Sequence, residues 1–138
     1  MTIFVDTSAI YAILSADDPH HGEAAAIWQN LLLNREDLLC TNYIVIETYA
    51  IVQNRLGMAA VRALHENAMP LLRVEWISPT QHETAVKIML ASGRRHLSLV
   101  DCTSFETMRQ LSIHTAFAFD SHFVEQGFEC VPPPSVPE

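Results

Sequence analysis

Two short apolar stretches, each stopped by a carboxylate, set the terms for this chain. Ile3-Phe4-Val5 runs into Asp6, and Ala116-Phe117-Ala118-Phe119 runs into Asp120. Unbroken apolar runs of this length fit strands covered on both faces, as in the parallel sheet of an α/β protein. In such sheets ligands bind beyond the carboxyl ends of the strands. Asp6 and Asp120 both fall there.

The rest of the chain alternates strands with helices, as that architecture requires. Residues 2–6 read as a strand, Thr7 to Leu14 as helical, and Asp17-Asp18-Pro19 as a break. A helix rich in Ala and Leu follows from about His21 to Leu33, then a strand from Leu38 to Thr41. Asn42 to Leu56 is a long helix closed by Gly57, and Met58 to Asn67 another, ending ahead of Pro70. Leu72 to Ile77 alternates as a third strand. Ser78-Pro79-Thr80 opens a helix stopped by Gly93, and Ser98 opens one through about Leu111. Thr115 to Phe119 and Phe128 to Val131 supply the last strands. Residues 1–132 thus read as one domain, and residues 133–138 as a proline-rich tail with no reason to fold.

At 138 residues, 49% hydrophobic and 17% charged, the chain can bury a sizeable core. No apolar run approaches the roughly 20 residues a bilayer-crossing helix needs. The N-terminus enters a strand at once and lacks the order of a signal peptide. Cys40, Cys102 and Cys130 match no zinc or redox spacing and are expected to be reduced. A cytoplasmic location is the expectation. The formal charge of −8 does not suggest a nucleic-acid binder, although clustered carboxylates offset by a bound cation would account for part of it. Arg94-Arg95-His96 is the one basic run, and either a phosphate contact or a solvated helix end explains it.

Two more acids sit among apolar neighbours, Glu47 within the long helix and Asp101 after Leu99-Val100. A carboxylate in such a place costs free energy unless something pairs with it. Three of the four have a local explanation. Asp6 can cap the helix starting at Thr7. Ser98 and Asp101 have capping-box spacing, and Asp120 suits an Asx turn. Glu47 does not, because it lies mid-helix with no Lys or Arg three or four residues away. Tyr43, Ile44, Ala50 and Ile51 share its face, and Val45, Tyr49, Val52 and Leu56 line the opposite one. The helix is therefore expected to be buried nearly all round. Taken together, the four acids point to a site for Mg²⁺ or Mn²⁺, which prefer oxygen ligands, and so to phosphoryl-transfer chemistry.

The same residues resemble the PIN-domain family, and within it the VapC-type toxin ribonucleases. The resemblance spans Ile3 to Pro132 and rests on four segments in order. These are the strand entering Asp6-Thr7-Ser8-Ala9, then Asn42-Tyr43-Ile44-Val45-Ile46-Glu47, Leu97-Ser98-Leu99-Val100-Asp101, and Ala118-Phe119-Asp120-Ser121-His122-Phe123. It implies a three-layer α/β/α sandwich with a mainly parallel central sheet. It also implies an endoribonuclease dependent on Mg²⁺ or Mn²⁺, with Asp6, Asp101 and Asp120 as ligands. Glu47 would bind metal directly or through water.

Thr7 and Ser8 either hydrogen-bond a carboxylate or metal water, or simply begin a helix; Ser104 could act likewise one turn beyond Asp101. His122 is expected to be a strand-end histidine that packs or hydrogen-bonds locally. Toxins of this type usually form homodimers and are held inactive by a cognate antitoxin, and the apolar helices between Asn42 and Pro70 offer surface for both contacts.

Two other readings compete. One is a different metal phosphoesterase. A haloacid-dehalogenase-like enzyme needs a second Asp where residue 8 is Ser, and a receiver domain needs a lysine better placed than Lys87. The other is a catalytically silent PIN-like module that binds RNA or protein.

Overall fold

The computed structural model describes residues 1–134. Five strands form one sheet, β1 (Thr2–Val5), β2 (Asp37–Thr41), β3 (Arg73–Glu75), β4 (Thr115–Phe117) and β5 (Glu129–Val131). Their order is β3-β2-β1-β4-β5, and every pairing is parallel. Helices α1 (Thr7–Leu14) and α2 (His21–Leu33) link β1 to β2, and α3 (Asn42–Leu56) and α4 (Met58–Ala63) lead toward β3. The chain then returns through α5 (Pro79–Ser92) and α6 (Leu99–Gln110) to β4, and α7 (His122–Glu125) joins β4 to β5. Strand order reverses between β1 and β4. With right-handed crossovers, that reversal sends the helices of the two halves to opposite faces, giving an α/β/α sandwich.

The central strands carry the core. Phe4, Val5, Leu39, Cys40, Ala116 and Phe117 are completely buried, and Ile44, Met108 and Phe123 pack over them from the helices. Phe105 meets Phe123 edge-on at 5.1 Å between centroids. Cys40, Cys102 and Cys130 are free thiols. No helix among the described residues is long and apolar enough to cross a membrane.

Local chemistry fixes the element ends. Ser78 and Gln81 form a full capping box at α5, and Gly93 ends that helix in the left-handed region at φ 61°. Gly57, at φ 88°, lets the chain turn between α3 and α4.

Several expectations change. The helix foreseen from Met58 to Asn67 is α-helical only to Ala63, widens into a π turn over Leu64–Ala68 and tightens to a 3₁₀ turn over Met69–Leu71. Pro70 has no N–H to continue an α ladder. β3 is shorter than Leu72 to Ile77. Trp76 is 73% exposed, and the Ile77 amide donates to Asn42 Oδ1 at 2.7 Å instead of to a strand. β4 stops at Phe117, and the Phe119 amide is taken by Ser8 Oγ at 3.0 Å.

The α3 helix is not buried all round. Ile44, Thr48 and Val52 form its buried stripe, while Ile46 is 67% exposed. Of the proline-rich tail, Pro133 and Pro134 belong to no helix or strand, and residues 135–138 lie outside the described residues.

Candidate active site

Asp6 and Asp120 leave the sheet from neighbouring strands, β1 and β4, at the point where strand order reverses. This switch point opens a crevice in any doubly wound sheet. The crevice is a cavity of about 470 Å³, lined by Asp6, Glu47, Asp101 and Asp120 together with Thr7 and Ser8. Four segments far apart in sequence thus bring their acids to one place.

The local caps aim the acids. Asp6 Oδ2 accepts the Ser8 amide at 3.1 Å as the N-cap of α1. Asp101 Oδ2 accepts the Ser98 amide at 3.1 Å while Ser98 Oγ accepts the Asp101 amide at 3.0 Å. Asp120 Oδ1 accepts the His122 amide at 2.8 Å, an Asx-turn contact. Capping uses part of each carboxylate's acceptor capacity and fixes its direction. The local and functional explanations of these acids are therefore compatible.

Asp6 is only 6% exposed. Burial pushes its carboxyl up to about 7, against the pull of two hydrogen bonds from Ser8, and the carboxylates of Asp120 and Asp101 push it further up. Glu47 is also raised, first by burial and then by Asp101 and Asp120, with the Thr7 hydroxyl pulling the other way. The site resists carrying its full negative charge without a cation.

His122 departs from its expected place. It begins α7, and its Nδ1 lies 3.2 Å from Asp120 Oδ1 and 3.5 Å from Asp101 Oδ2. Among the described residues that nitrogen is buried without a hydrogen-bond partner. One ligand atom each from Asp101, Asp120 and His122 lies within 4.8 Å of the others, a spacing that suits a metal ion. An orphaned buried nitrogen between two carboxylate oxygens is costly unless a cation or proton completes the set. The donor set fits a divalent metal.

Other residues on the cavity wall, among them Tyr11, Asp18, His20 and Arg55, are not site candidates on the sequence alone. Arg55 places its guanidinium carbon 5.7 Å from the centre of the Tyr11 ring. The signal existed, because Ile51 and Arg55 follow Glu47 by four and eight residues, on one helical face.

Ser104, Arg94 and Arg95 do not line the cavity. The Ser104 hydroxyl is buried and donates to the Val100 carbonyl at 3.0 Å. Arg94 pairs with Glu125 at 3.1 Å, and Arg95 is exposed.

A PIN-domain family model matches residues 3–129. This chain belongs to the PIN-domain family. The 23S rRNA-specific endonuclease VapC20 of Mycobacterium tuberculosis is 35% identical to this PIN domain over 132 residues, which cover 95% of this chain and 98% of that protein. The crystal structure of M. tuberculosis VapC20, described as a Sarcin-Ricin loop cleaving toxin, superposes with a TM-score of 0.77 at 32% identity. That match covers 91% of this chain and 95% of the other. FitAcB from Neisseria gonorrhoeae shares the PIN fold at a TM-score of 0.67 and 18% identity, over 94% and 96% of the two chains.

Proposed function

We propose that this PIN domain, spanning residues 1–132, is a metal-dependent endoribonuclease and the toxin of a toxin–antitoxin pair. The observation that carries the reading is the convergence of Asp6, Glu47, Asp101 and Asp120 on one cavity at the sheet's switch point. Kinship over nearly the full length of an rRNA endonuclease supports RNA as the substrate.

Asp101 and Asp120, with His122 beside them, are the ligands we assign first to Mg²⁺ or Mn²⁺, and Asp6 lines the same cavity as a further carboxylate donor. When bound, the cation polarises a phosphodiester and lowers the pKa of coordinated water. Glu47 faces the same cavity from α3 and orients the attacking water. Ser8 holds Asp6 in place by a 2.6 Å hydrogen bond to Asp6 Oδ2, and the Thr7 hydroxyl, 3.1 Å from the Thr48 hydroxyl, fixes α1 against α3 next to Glu47. Arg55, braced on Tyr11 at the wall of the cavity, takes a flanking phosphate. Arg94 is engaged with Glu125, and neither it nor Arg95 lines the cavity. We place the antitoxin on the apolar groove of Tyr43, Ile46 and Val100, which adjoins Glu47, and infer a homodimer through the α3–α4 surface.

Incubating the purified protein with total RNA and Mn²⁺ or Mg²⁺, beside EDTA and Asp101→Asn controls, tests the reading. Discrete products that require both metal and Asp101 are expected. Metal binding without cleavage of any RNA would instead favour a silent binding module.

A further inference from the structure

A second cavity, of about 210 Å³, adjoins the acid cavity beyond the end of β4. His20, Glu23, Phe119, Asp120, Ser121 and Pro132 contribute to its lining. His20, Phe119 and Asp120 line both cavities, so the two share a wall. That wall is an aromatic pair, with the His20 and Phe119 rings stacked at 4.4 Å between centroids and 17° between planes.

The fold itself makes little use of this arrangement. His20 is exposed, and its backbone amide, rather than its ring, makes the hydrogen bond to Asp18 Oδ1 at 2.8 Å. The ring lies over Phe119 without being needed in the core.

We propose that the second cavity is a nucleobase subsite. It receives one unstacked base of the RNA, next to the phosphate at the acid cavity; this rests on the ribonuclease reading above. Three observations favour a base over other occupants. The volume is below the roughly 300–1,000 Å³ of pockets that take drug-sized ligands, and it suits a single flat ring system. The walls offer what single-stranded recognition uses, an aromatic platform with polar groups for a base edge. Asp120 lines both cavities, so a base held in the second lies beside the acid cavity, where binding it positions the adjoining phosphodiester. Glu23 is an acceptor when ionised, which favours a base with donors on its edge. Guanine presents a ring N–H and an amino group side by side, matching the two oxygens of one carboxylate.

The test follows backbone amide shifts by NMR as the Mg²⁺-loaded protein is titrated with guanosine 5′-monophosphate, uridine 5′-monophosphate and ribose 5-phosphate. The guanosine nucleotide is expected to shift the amides from Phe119 to Val124, and ribose 5-phosphate to leave the second cavity unmoved. His20→Ala is expected to weaken guanosine nucleotide binding by roughly tenfold, in line with the loss of one stacking face. Glu23→Gln should narrow the preference for guanosine over uridine nucleotide. The subsite is overturned if ribose 5-phosphate gives the same shifts, if no nucleotide moves these amides, or if His20→Ala binds as tightly as the parent. The ribonuclease reading fails separately, through absence of metal-dependent RNA cleavage while the nucleotide shifts persist.

Discussion

The Ser8 hydroxyl donates to Asp6 Oδ2 at 2.6 Å and, from the same oxygen, accepts the Phe119 amide at 3.0 Å. One side chain thus ties the first turn of α1 to the end of β4, one residue before Asp120. The contact positions a buried carboxylate and sets where β4 leaves the sheet. Ser8→Ala would orphan the Phe119 amide and remove a bond that favours the ionised form of Asp6. The expected loss of stability is about 1–3 kcal/mol in denaturant unfolding. The pH at which Mn²⁺ binding is half-developed should also move up, as seen by calorimetry across a pH series.

The metal-free protein should become less stable as pH rises. Asp6 has a folded-state pKa of about 7 against an ordinary value of 3.8, so between these values the folded state holds more protons than the unfolded one. Its contribution is fully present below the ordinary value and is lost as pH rises through about 7. Glu47 is shifted in the same direction. Across this window the loss from Asp6 is on the order of a few kcal/mol. Melting temperatures in EDTA should fall from pH 4.5 to pH 8 in the parent and vary less in Asp6→Asn.

Divalent metal should reverse that loss. A ligand held only by the folded state stabilises it by about 2.7 kcal/mol at a hundredfold excess over its Kd. Thermal melts should therefore rise with Mn²⁺ in the parent and stay nearly flat in Asp101→Asn and Asp120→Asn. Without metal, Asp101→Asn should melt higher than the parent, because Asp101 raises the cost of ionising both Asp6 and Glu47.

Arg55 and Arg94 separate cleanly by experiment. Arg55→Ala should weaken RNA binding and reduce the slope of log affinity against log salt by about 1. Arg94→Ala breaks only an exposed pair with Glu125, for which the expected stability change is within about 1 kcal/mol. It should leave the salt slope unchanged.

Much of this molecule was legible in its sequence, and the reasons are specific. Apolar strands ending at Asp6 and Asp120 announced a parallel sheet with acids at its carboxyl edge, and β1 and β4 stand side by side there. Capping chemistry at Ser98 and Ser78 placed two helix starts correctly. His122 was hidden because its role depends on a turn. The Asx contact of Asp120 reverses the chain, begins α7 and brings the ring back to the acids, which no strand or helix period encodes. The exposed side of α3 is not legible because Ile46 is apolar yet faces away from the sheet, and composition cannot distinguish a covered stripe from a surface patch. His20 stacks on Phe119 across the fold, a contact between residues 99 positions apart that needs the assembled sheet.

Anomalous diffraction from crystals soaked in Mn²⁺ tests the central claim most directly. The account predicts a peak in the acid cavity within about 2.5 Å of carboxylate oxygens of Asp101 and Asp120, lost in Asp120→Asn crystals. Mn²⁺ found only elsewhere, or an acid cavity empty at saturating Mn²⁺, would contradict it.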